Sequence, residues 1–205
     1  MRIKITDQMV KALQTNRVYL SLSPQDRGYI YDLWSSIEEK DVDVQGHMFR
    51  VGGYAKGLAE FARMDLKIQD SIQLAGFLHD IGKKWVPDQI LFKSASLSQE
   101  EFNIMRQHPI IAKIILKSIE LPENIITAIE CHHRQFDLQG YPCDRKMKEL
   151  PLEAAVIGIA DAFDAMTTSR PYRSCLPMMT VRQEIEIHAG TQFHPTLAKT
   201  FLAML

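Results

Sequence analysis

Apolar residues recur at helical spacing, with little interruption, from Ser23 to the C-terminus of this 205-residue chain. No alternating pattern typical of a β-strand reaches a useful length in that region. Helix-start signals divide this region into separate helices. Pro24 follows Ser23, and Ser98 precedes Glu101 at the spacing of a capping box. The sequence therefore predicts an all-α fold, a helical bundle in a single domain, because amphipathic helices bury their apolar faces by packing together.

The periodicity and the start signals together predict where the helices lie. They cover residues 29–39, 42–64, 68–80, 110–119, 152–168, 179–188 and 195–205, with two more that begin near Ser98 and at Pro122. In the helix over 42–64, the inward face is expected to consist of Val51, Tyr54, Ala55, Leu58 and Phe61. A polar loop is expected over residues 134–151.

The first 22 residues allow two interpretations. Ile3 and Ile5 alternate with charged residues, which favours an extended segment, and residues 18–20 could be another. Alternatively, residues 6–13 form a short helix capped by Thr6 or Asp7. We expect residues 1–40 to be a small irregular cap or the remnant of a regulatory region, and residues 41–205 to form the main domain.

Composition narrows the class of protein. Hydrophobic residues make up 46% and charged residues 24%, which is ordinary for a globular chain. The formal net charge of -1 gives no bulk attraction for a nucleic-acid polymer or an anionic membrane. Cys131, Cys143 and Cys175 are odd in number and lack CxxC spacing, so neither a disulfide framework nor a zinc ribbon is expected. Without a membrane-spanning or secretory segment, we expect a cytoplasmic protein.

Histidines and aspartates occur repeatedly where predicted helices end or loops begin. The central pair is His79-Asp80, which closes an apolar helical run and is followed by Gly82 and Lys83. A buried imidazole beside a carboxylate is costly unless each is hydrogen-bonded or coordinates a metal. The other members of the set are His47, His108, His132, His133 and Asp161. Helical bundles build metal sites from such facing side chains, and imidazole with carboxylate suits Fe, Mn, Co, Ni or Zn.

This ordered set resembles the HD superfamily of metal-dependent phosphohydrolases, and in detail its HD-GYP branch. The resemblance rests on His79-Asp80-Ile81-Gly82-Lys83, His108-Pro109, His132-His133, Gly140-Tyr141-Pro142, the run from Asp161 through Asp164 to Arg170-Pro171-Tyr172-Arg173, and the ending Phe193-His194-Pro195. It covers the chain from about Asp43 to the C-terminus. It implies a helical bundle of the HD type and an HD-GYP-like catalytic domain over residues 41–205.

The resemblance also implies a ligand set for two divalent metal ions, with Fe or Mn favoured. His47, His79, Asp80 and Asp161 would hold one metal, and His108, His132 and His133 the second, with Asp80 bridging. Some members hold a third metal through a Glu that corresponds to Asp43 here. Asp164 shares a helix face with Asp161 and is expected to be a hydrogen-bonding neighbour of the site rather than a ligand.

The implied activity is hydrolysis of a cyclic dinucleotide, cyclic di-GMP above all, to pGpG or GMP by attack of a metal-bridging hydroxide. Asp80 and Lys83 are the expected catalytic residues. Lys83 is expected to contact the phosphate or help the leaving oxygen depart. Arg170 and Arg173 are expected to bind phosphate, since forked guanidinium groups suit its oxygens.

The loop after the double histidine departs from the family pattern. Arg134 stands where the family usually has Glu, and Leu138 where it has a small residue. These departures keep an alternative open: a catalytically weak signalling module that binds a nucleotide or a protein partner through the loop containing Gly140, Tyr141 and Pro142. A generic HD phosphohydrolase acting on nucleoside phosphates is the third hypothesis.

Overall fold

A computed structural model describes residues 5–142, 147–169 and 175–205, without the side chains of Glu38 and Val42. In these ranges all regular structure is helical, and only two isolated β-bridges occur. The α-helices are α1 (Ile5–Leu13), α2 (Arg17–Ser21), α3 (Pro24–Lys40), α4 (Val42–Phe61), α5 (Leu66–Leu78), α6 (Asp88–Leu91), α7 (Gln99–Met105), α8 (His108–Leu116), α9 (Glu123–Cys131), α10 (Leu152–Thr167), α11 (Met178–Ile187) and α12 (Pro195–Met204). A 3₁₀ helix spans Ile81–Trp85. The predicted all-α fold is confirmed.

Residues 5–40 are mostly helical rather than irregular, so the helical interpretation of residues 6–13 is the one observed. Met9, Leu13 and Trp34 are fully buried in the same hydrophobic core as the rest of the chain. The Trp34 indole N–H donates to the Phe77 carbonyl on α5 at 2.6 Å. Ile3 lies outside the described residues, and Ile5 begins α1, whose apolar face continues at helical spacing through Met9 and Leu13.

Helix α5 is the centre of the bundle. All residues from Gln69 to Leu78 are buried, and the helix packs against α4, α9, α10 and α2. Helices α4 and α5 approach closely at two glycines. A Cβ at Gly52 would lie 2.2 Å from the Phe77 ring, and one at Gly76 would lie 2.8 Å from the Gly52 Cα. This close approach brings His47 on α4 against the C-terminal end of α5, where His79 and Asp80 lie.

The predicted helix boundaries agree with the observed ones to within a few residues. Ser23 and Ser98 both cap their helices, and the capping box at Ser98 is complete. The predicted inward face of α4 is correct for Val51, Ala55 and Leu58, which are fully buried. It is wrong for Phe61, which is the last residue of α4 and is 52% exposed. None of the described helices combines the length and hydropathy that crossing a bilayer requires.

Candidate metal centre

Five helices bring the predicted ligands together at one end of α5. His47 lies on α4, His79 and Asp80 follow α5, and His108 begins α8. His132 and His133 follow α9, and Asp161 lies on α10. Three overlapping groups have ligand atoms within 4.8 Å of one another, and together they contain all seven of these residues. Side chains separated by more than a hundred positions therefore share one pocket.

Asp80 is the centre of this cluster. Its Oδ1 lies 3.0 Å from the His108 Nε2 and 3.9 Å from the His132 Nε2. Its Oδ2 lies 3.4 Å from the His79 Nε2 and 3.6 Å from the His47 Nε2. Asp161 completes the cluster on the α10 side, with its Oδ1 3.1 Å from the His47 Nε2. Asp80 is thus the carboxylate common to two of the three groups.

Backbone carbonyls at helix ends orient three of the imidazoles. The Nδ1–H groups of His79, His108 and His132 donate to the carbonyls of the residues three positions earlier, Gly76, Met105 and Ile129, at 2.7 to 2.9 Å. These carbonyls belong to the last turns of α5, α7 and α9, where the chain provides no further helical N–H. A carbonyl only accepts, so the proton is on Nδ1 and the lone pair of each Nε2 faces the cluster.

His47 is oriented differently, by a side chain. Its Nδ1 donates to the Asp164 Oδ2 at 2.7 Å. Arg50 holds the same carboxylate through Nε at 2.6 Å and through Nη2 at 3.0 Å. Asp164 therefore contacts the ring of a candidate ligand, His47, rather than the centre of the cluster, in agreement with the expectation from the sequence. Such an outer carboxylate fixes the tautomer of a metal-binding histidine and raises its basicity.

The donor set fits a metal site. The His108 and His132 Nε2 atoms are 3.4 Å apart, and the orientations above leave two lone pairs facing each other. The His79 Nε2 and the Asp80 Oδ1 are buried and have no hydrogen-bond partner among the described residues. Unpaired acceptors that face one another in a buried cluster repel unless a cation lies between them. These nitrogens and oxygens could thus hold a metal ion, and no described cysteine belongs to the converging groups.

The charge states of the carboxylates and of His132 and His133 are suited to holding cations, whereas His47 carries a proton that a bound metal would displace. Burial would raise the pKa of Asp80 and Asp161. For Asp80, Lys83 and the imidazoles of His79 and His108 outweigh burial, and for Asp161 the imidazoles of His47, His133 and His79 do, so both pKa values lie well below the usual range. Burial holds the pKa of His132 well below its ordinary value and lowers that of His133 to about 3. Burial also disfavours charge on His47, yet hydrogen bonds to Asp161 and Asp164 raise its pKa to about 9.

The sequence also predicts site roles for Lys83, Asp43, Arg170 and Arg173, and the structure describes the first two of these residues. Lys83, on the 3₁₀ helix, donates from Nζ to the Asp80 Oδ2 at 2.5 Å and lies at the edge of the cluster. Asp43 is exposed at the start of α4, and none of the converging groups includes it. Arg170 and Arg173 lie outside the described residues.

The loop with Gly140, Tyr141 and Pro142 lies directly beside the cluster. The Tyr141 ring is 4.6 Å from that of His133, and the Tyr141–Pro142 peptide bond is cis. Gly140 has a φ of 84°, and a Cβ there would lie 2.2 Å from the His133 carbonyl oxygen. Only glycine therefore allows the loop to fold back so closely onto the double histidine.

Sequence reasoning missed two contributors to the site. Arg50 holds Asp164, and its spacing of three residues from His47 on one helix was the available signal. The second is the segment after α11, whose carbonyls at Thr191 and Gln192 accept from Asp137 and Phe136 at 3.0 and 3.1 Å. No sequence signal links these two segments.

A cavity of about 290 Å³ adjoins the cluster. It lies between the double histidine, the loop after it, α10 and the segment after α11. Its polar walls come from His132, His133, Arg134, Gln135, Asp161 and Gln192. A ligand in this cavity would lie directly beside the converging metal ligands.

Comparison with known proteins identifies the family. The model of the HD domain family matches residues 33–197, which is most of the chain. This chain belongs to the HD domain family. The match includes every converging ligand described above, so the resemblance drawn from the sequence is confirmed at the level of the family.

Curated relatives and a solved structure are similar to this HD domain. A cyclic di-GMP phosphodiesterase from Thermotoga maritima is 37% identical over 169 residues, covering 82% of this chain and 46% of the relative. A 3'3'-cGAMP-specific phosphodiesterase 2 from Vibrio cholerae is 28% identical, covering 89% and 35%. Bd1817, a HDG"Y"P protein from Bdellovibrio bacteriovorus, has the same fold at a TM-score of 0.67 and 16% identity, covering 98% and 68%. This HD domain spans less than half the length of these two curated relatives.

Replacing Asp164 tests how His47 is held in this HD domain. We expect Asp164→Ala to lower metal affinity roughly 10- to 100-fold, because the His47 ring loses the acceptor that orients it. Asp164→Asn keeps an oxygen that can accept from Nδ1, so it should lose less. Competition titration with a chromogenic chelator measures both affinities. Unchanged affinity in both variants would contradict an orienting role for this carboxylate.

Proposed function

We propose that this chain is a metal-dependent phosphodiesterase that hydrolyses a cyclic dinucleotide. The observation that carries the proposal is the convergence of five imidazoles and two carboxylates around Asp80, with unpaired lone pairs facing inward. Lone pairs directed at a shared point have a clear use in binding cations and none in packing a hydrophobic core. The named activities of the similar proteins support the choice of a phosphodiester substrate.

The ligand set divides into two halves that share Asp80. His108, His132 and His133 form one half, and His47 and His79 belong to the other, with Asp161 beside His47. Two bound divalent cations would supply Lewis acidity toward the phosphate oxygens and hydroxide at neutral pH. Imidazole and carboxylate ligands favour Fe or Mn, with Co, Ni or Zn as further candidates. Asp43 would contribute to a third metal only if its side chain turned toward the cluster.

Lys83 and Asp80 have complementary roles in the proposal. The Lys83 ammonium neutralises the Asp80 carboxylate through a 2.5 Å hydrogen bond, and its side chain stays 20% exposed at the rim. When a phosphodiester binds there, the three donors of Lys83 allow it to hold Asp80 and a phosphate oxygen together. A proton donated from Nζ to the departing oxygen would assist cleavage. Binding of phosphate by Arg170 and Arg173 stays a prediction.

Cyclic di-GMP is the proposed substrate, to be cleaved to pGpG and GMP. The test is product chromatography with purified, metal-loaded protein and a panel of cyclic di-GMP, cyclic GMP-AMP, pGpG and a nucleoside monophosphate. We expect turnover of cyclic di-GMP at the highest kcat/KM. Turnover of the monophosphate alone would indicate a generic phosphohydrolase instead. Turnover of cyclic GMP-AMP alone would mean that the substrate is the mixed cyclic dinucleotide rather than cyclic di-GMP. Elemental analysis of the same sample identifies the metal.

The alternative is a signalling module that binds a nucleotide or a protein partner without turnover. Its support is the departure of Arg134 and Leu138 from the family pattern. Tyr141 is less suited to a free docking surface, because its ring packs on His133 and is partly buried. Calorimetry that detects cyclic dinucleotide binding without product, across several metals, would favour this alternative.

A further inference from the structure

Arg106 directly follows α7 and comes two residues before His108, which begins α8. Its guanidinium lies in a corner formed by two aromatic rings. The Arg106 Cζ is 5.4 Å from the ring centroid of Phe102 and 6.0 Å from that of Tyr141. The two ring centroids are 6.3 Å apart, and the ring planes are nearly perpendicular, at 82°. Attraction between the cation and the two ring faces therefore gives Arg106 a defined position beside the candidate metal centre.

Tyr141 connects this corner to the proposed metal ligands. Its ring centroid is 4.6 Å from that of His133 and 6.3 Å from that of His108. Phe102 is 40% exposed, and Arg106 is partly exposed, so the corner lies at the rim of the site. A phosphodiester at His108 and His133 is joined through ribose to a base, which extends away from the ligands. Arg106 lies on that side of the cluster.

The Arg106 guanidinium is oriented and keeps donors for a ligand. Its Nη2 donates to the Asn103 Oδ1 at 2.8 Å, and Asn103 lies one turn earlier on the same helix face. This is the hydrogen bond that the Arg106 side chain forms within the described ranges. A guanidinium has five N–H donors in a planar fork, so most of them are available to a substrate. The fork is thus held on one side by the protein and open on the other.

We propose that Arg106 selects guanine by donating two hydrogen bonds to the O6 and N7 atoms of one substrate base. The inference rests on the proposed function, to which it adds a residue that determines base specificity. Guanine presents two acceptors on this edge, whereas adenine presents the N7 acceptor beside an amino donor. The arginine fork only donates, so it matches guanine and is opposed by the adenine amino group. The bases of a cyclic dinucleotide have no pairing partner, which leaves this edge accessible.

The test measures kcat/KM of metal-loaded Arg106→Lys on cyclic di-GMP, cyclic di-IMP and cyclic di-AMP. Lysine keeps the positive charge and removes the fork. Hypoxanthine keeps O6 and N7 but lacks the 2-amino group of guanine, so we expect a loss of about 10- to 100-fold on both cyclic di-GMP and cyclic di-IMP. On cyclic di-AMP the change should be less than about threefold, because adenine offers no second acceptor there. Arg182→Lys, at an exposed arginine on α11, is the matched control and should behave as wild type.

Calorimetry with GMP and AMP gives a second readout, which requires no turnover. The Kd of metal-loaded protein for GMP should rise about tenfold in Arg106→Lys, and the Kd for AMP should stay the same, because the fork contacts only guanine at two atoms. Phe102→Leu tests the positioning role of the ring. It should give a smaller loss with the same dependence on the base, since the fork remains but is held less well.

The outcomes separate the inference from the proposed function. Equal losses on all three cyclic dinucleotides would mean that Arg106 contacts the shared phosphates or only supports Tyr141, and unchanged values on all three would mean that it contacts no substrate. Either result would overturn the inference, as would a loss confined to cyclic di-GMP, which would place the contact at the 2-amino group. Failure of the wild-type protein to hydrolyse any of the three would instead overturn the proposed function. The calorimetry would then still decide whether Arg106 selects guanine.

Discussion

Asp80→Asn is expected to lower turnover by roughly 10³-fold or more, because several kcal/mol of transition-state stabilisation are lost with the shared carboxylate. The Asp80 oxygens lie within 4 Å of four imidazole nitrogens and of the Lys83 ammonium. The amide keeps the volume but has no charge to share between two halves of the ligand set. Initial rates on cyclic di-GMP and elemental analysis of the purified variant measure the loss of activity and of metal together.

The control for this variant is Asp65→Asn. Asp65 precedes the same helix, α5, is exposed and makes no capping hydrogen bond through its side chain. It should retain full activity and metal content. Far-UV circular dichroism should show the same helix content in both variants, since Asp80 lies after α5 ends. Wild-type turnover in a folded Asp80→Asn protein would refute a role for this carboxylate at the centre of the reaction.

Removal of metal is expected to abolish turnover and to lower the thermal midpoint of unfolding. A ligand that binds only the folded state stabilises it by about 2.7 kcal/mol when free metal is 100 times its dissociation constant. For a domain of this size each kcal/mol shifts Tm by about 2–4 °C, so reloading should raise Tm by about 5–10 °C. The gain is expected because the metal relieves repulsion between buried lone pairs such as those of His108 and His132.

The measurement is a chelated sample titrated with Fe²⁺ under anaerobic conditions, and in parallel with Mn²⁺. Activity and Tm should rise together and saturate near two metal equivalents. Magnesium, which prefers oxygen ligands and keeps its waters, serves as the negative control. If the stripped sample hydrolyses cyclic di-GMP as fast as the reloaded one, the metal-dependent mechanism is wrong.

Helical periodicity and capping signals were sufficient to predict most of the bundle. The helix after Ser98 and the helix over 152–168 could be placed because their start signals and apolar faces are local properties of the chain. Phe61 was mispredicted because its burial depends on what covers the last turn of α4. Which residues cover that turn is decided by the tertiary structure, and the apolar periodicity of the α4 sequence does not indicate it.

The ligand set was predictable only through the ordered motifs and not from geometry. Nothing in the spacing of His47 and Asp161 indicates that their side chains lie 3.1 Å apart. The contact follows from the glycine-mediated approach of α4 to α5 and from the packing of α10 on both. Likewise, the hydrogen bonds from the loop to Thr191 and Gln192 join segments more than fifty residues apart. Such pairings depend on the assembled fold.

The two ways of orienting the imidazoles affect how this centre can change in evolution. Main-chain oxygens aim His79, His108 and His132, and no point substitution at Gly76, Met105 or Ile129 deletes a carbonyl. His47 is oriented by Asp164, so in the proposed metal centre a single substitution at Asp164 would change metal binding without changing any of the proposed ligands. We therefore expect similar chains that differ in metal preference to differ most often at the positions of Asp164 and Arg50. The orientations of the His79, His108 and His132 rings should be the same in all of them.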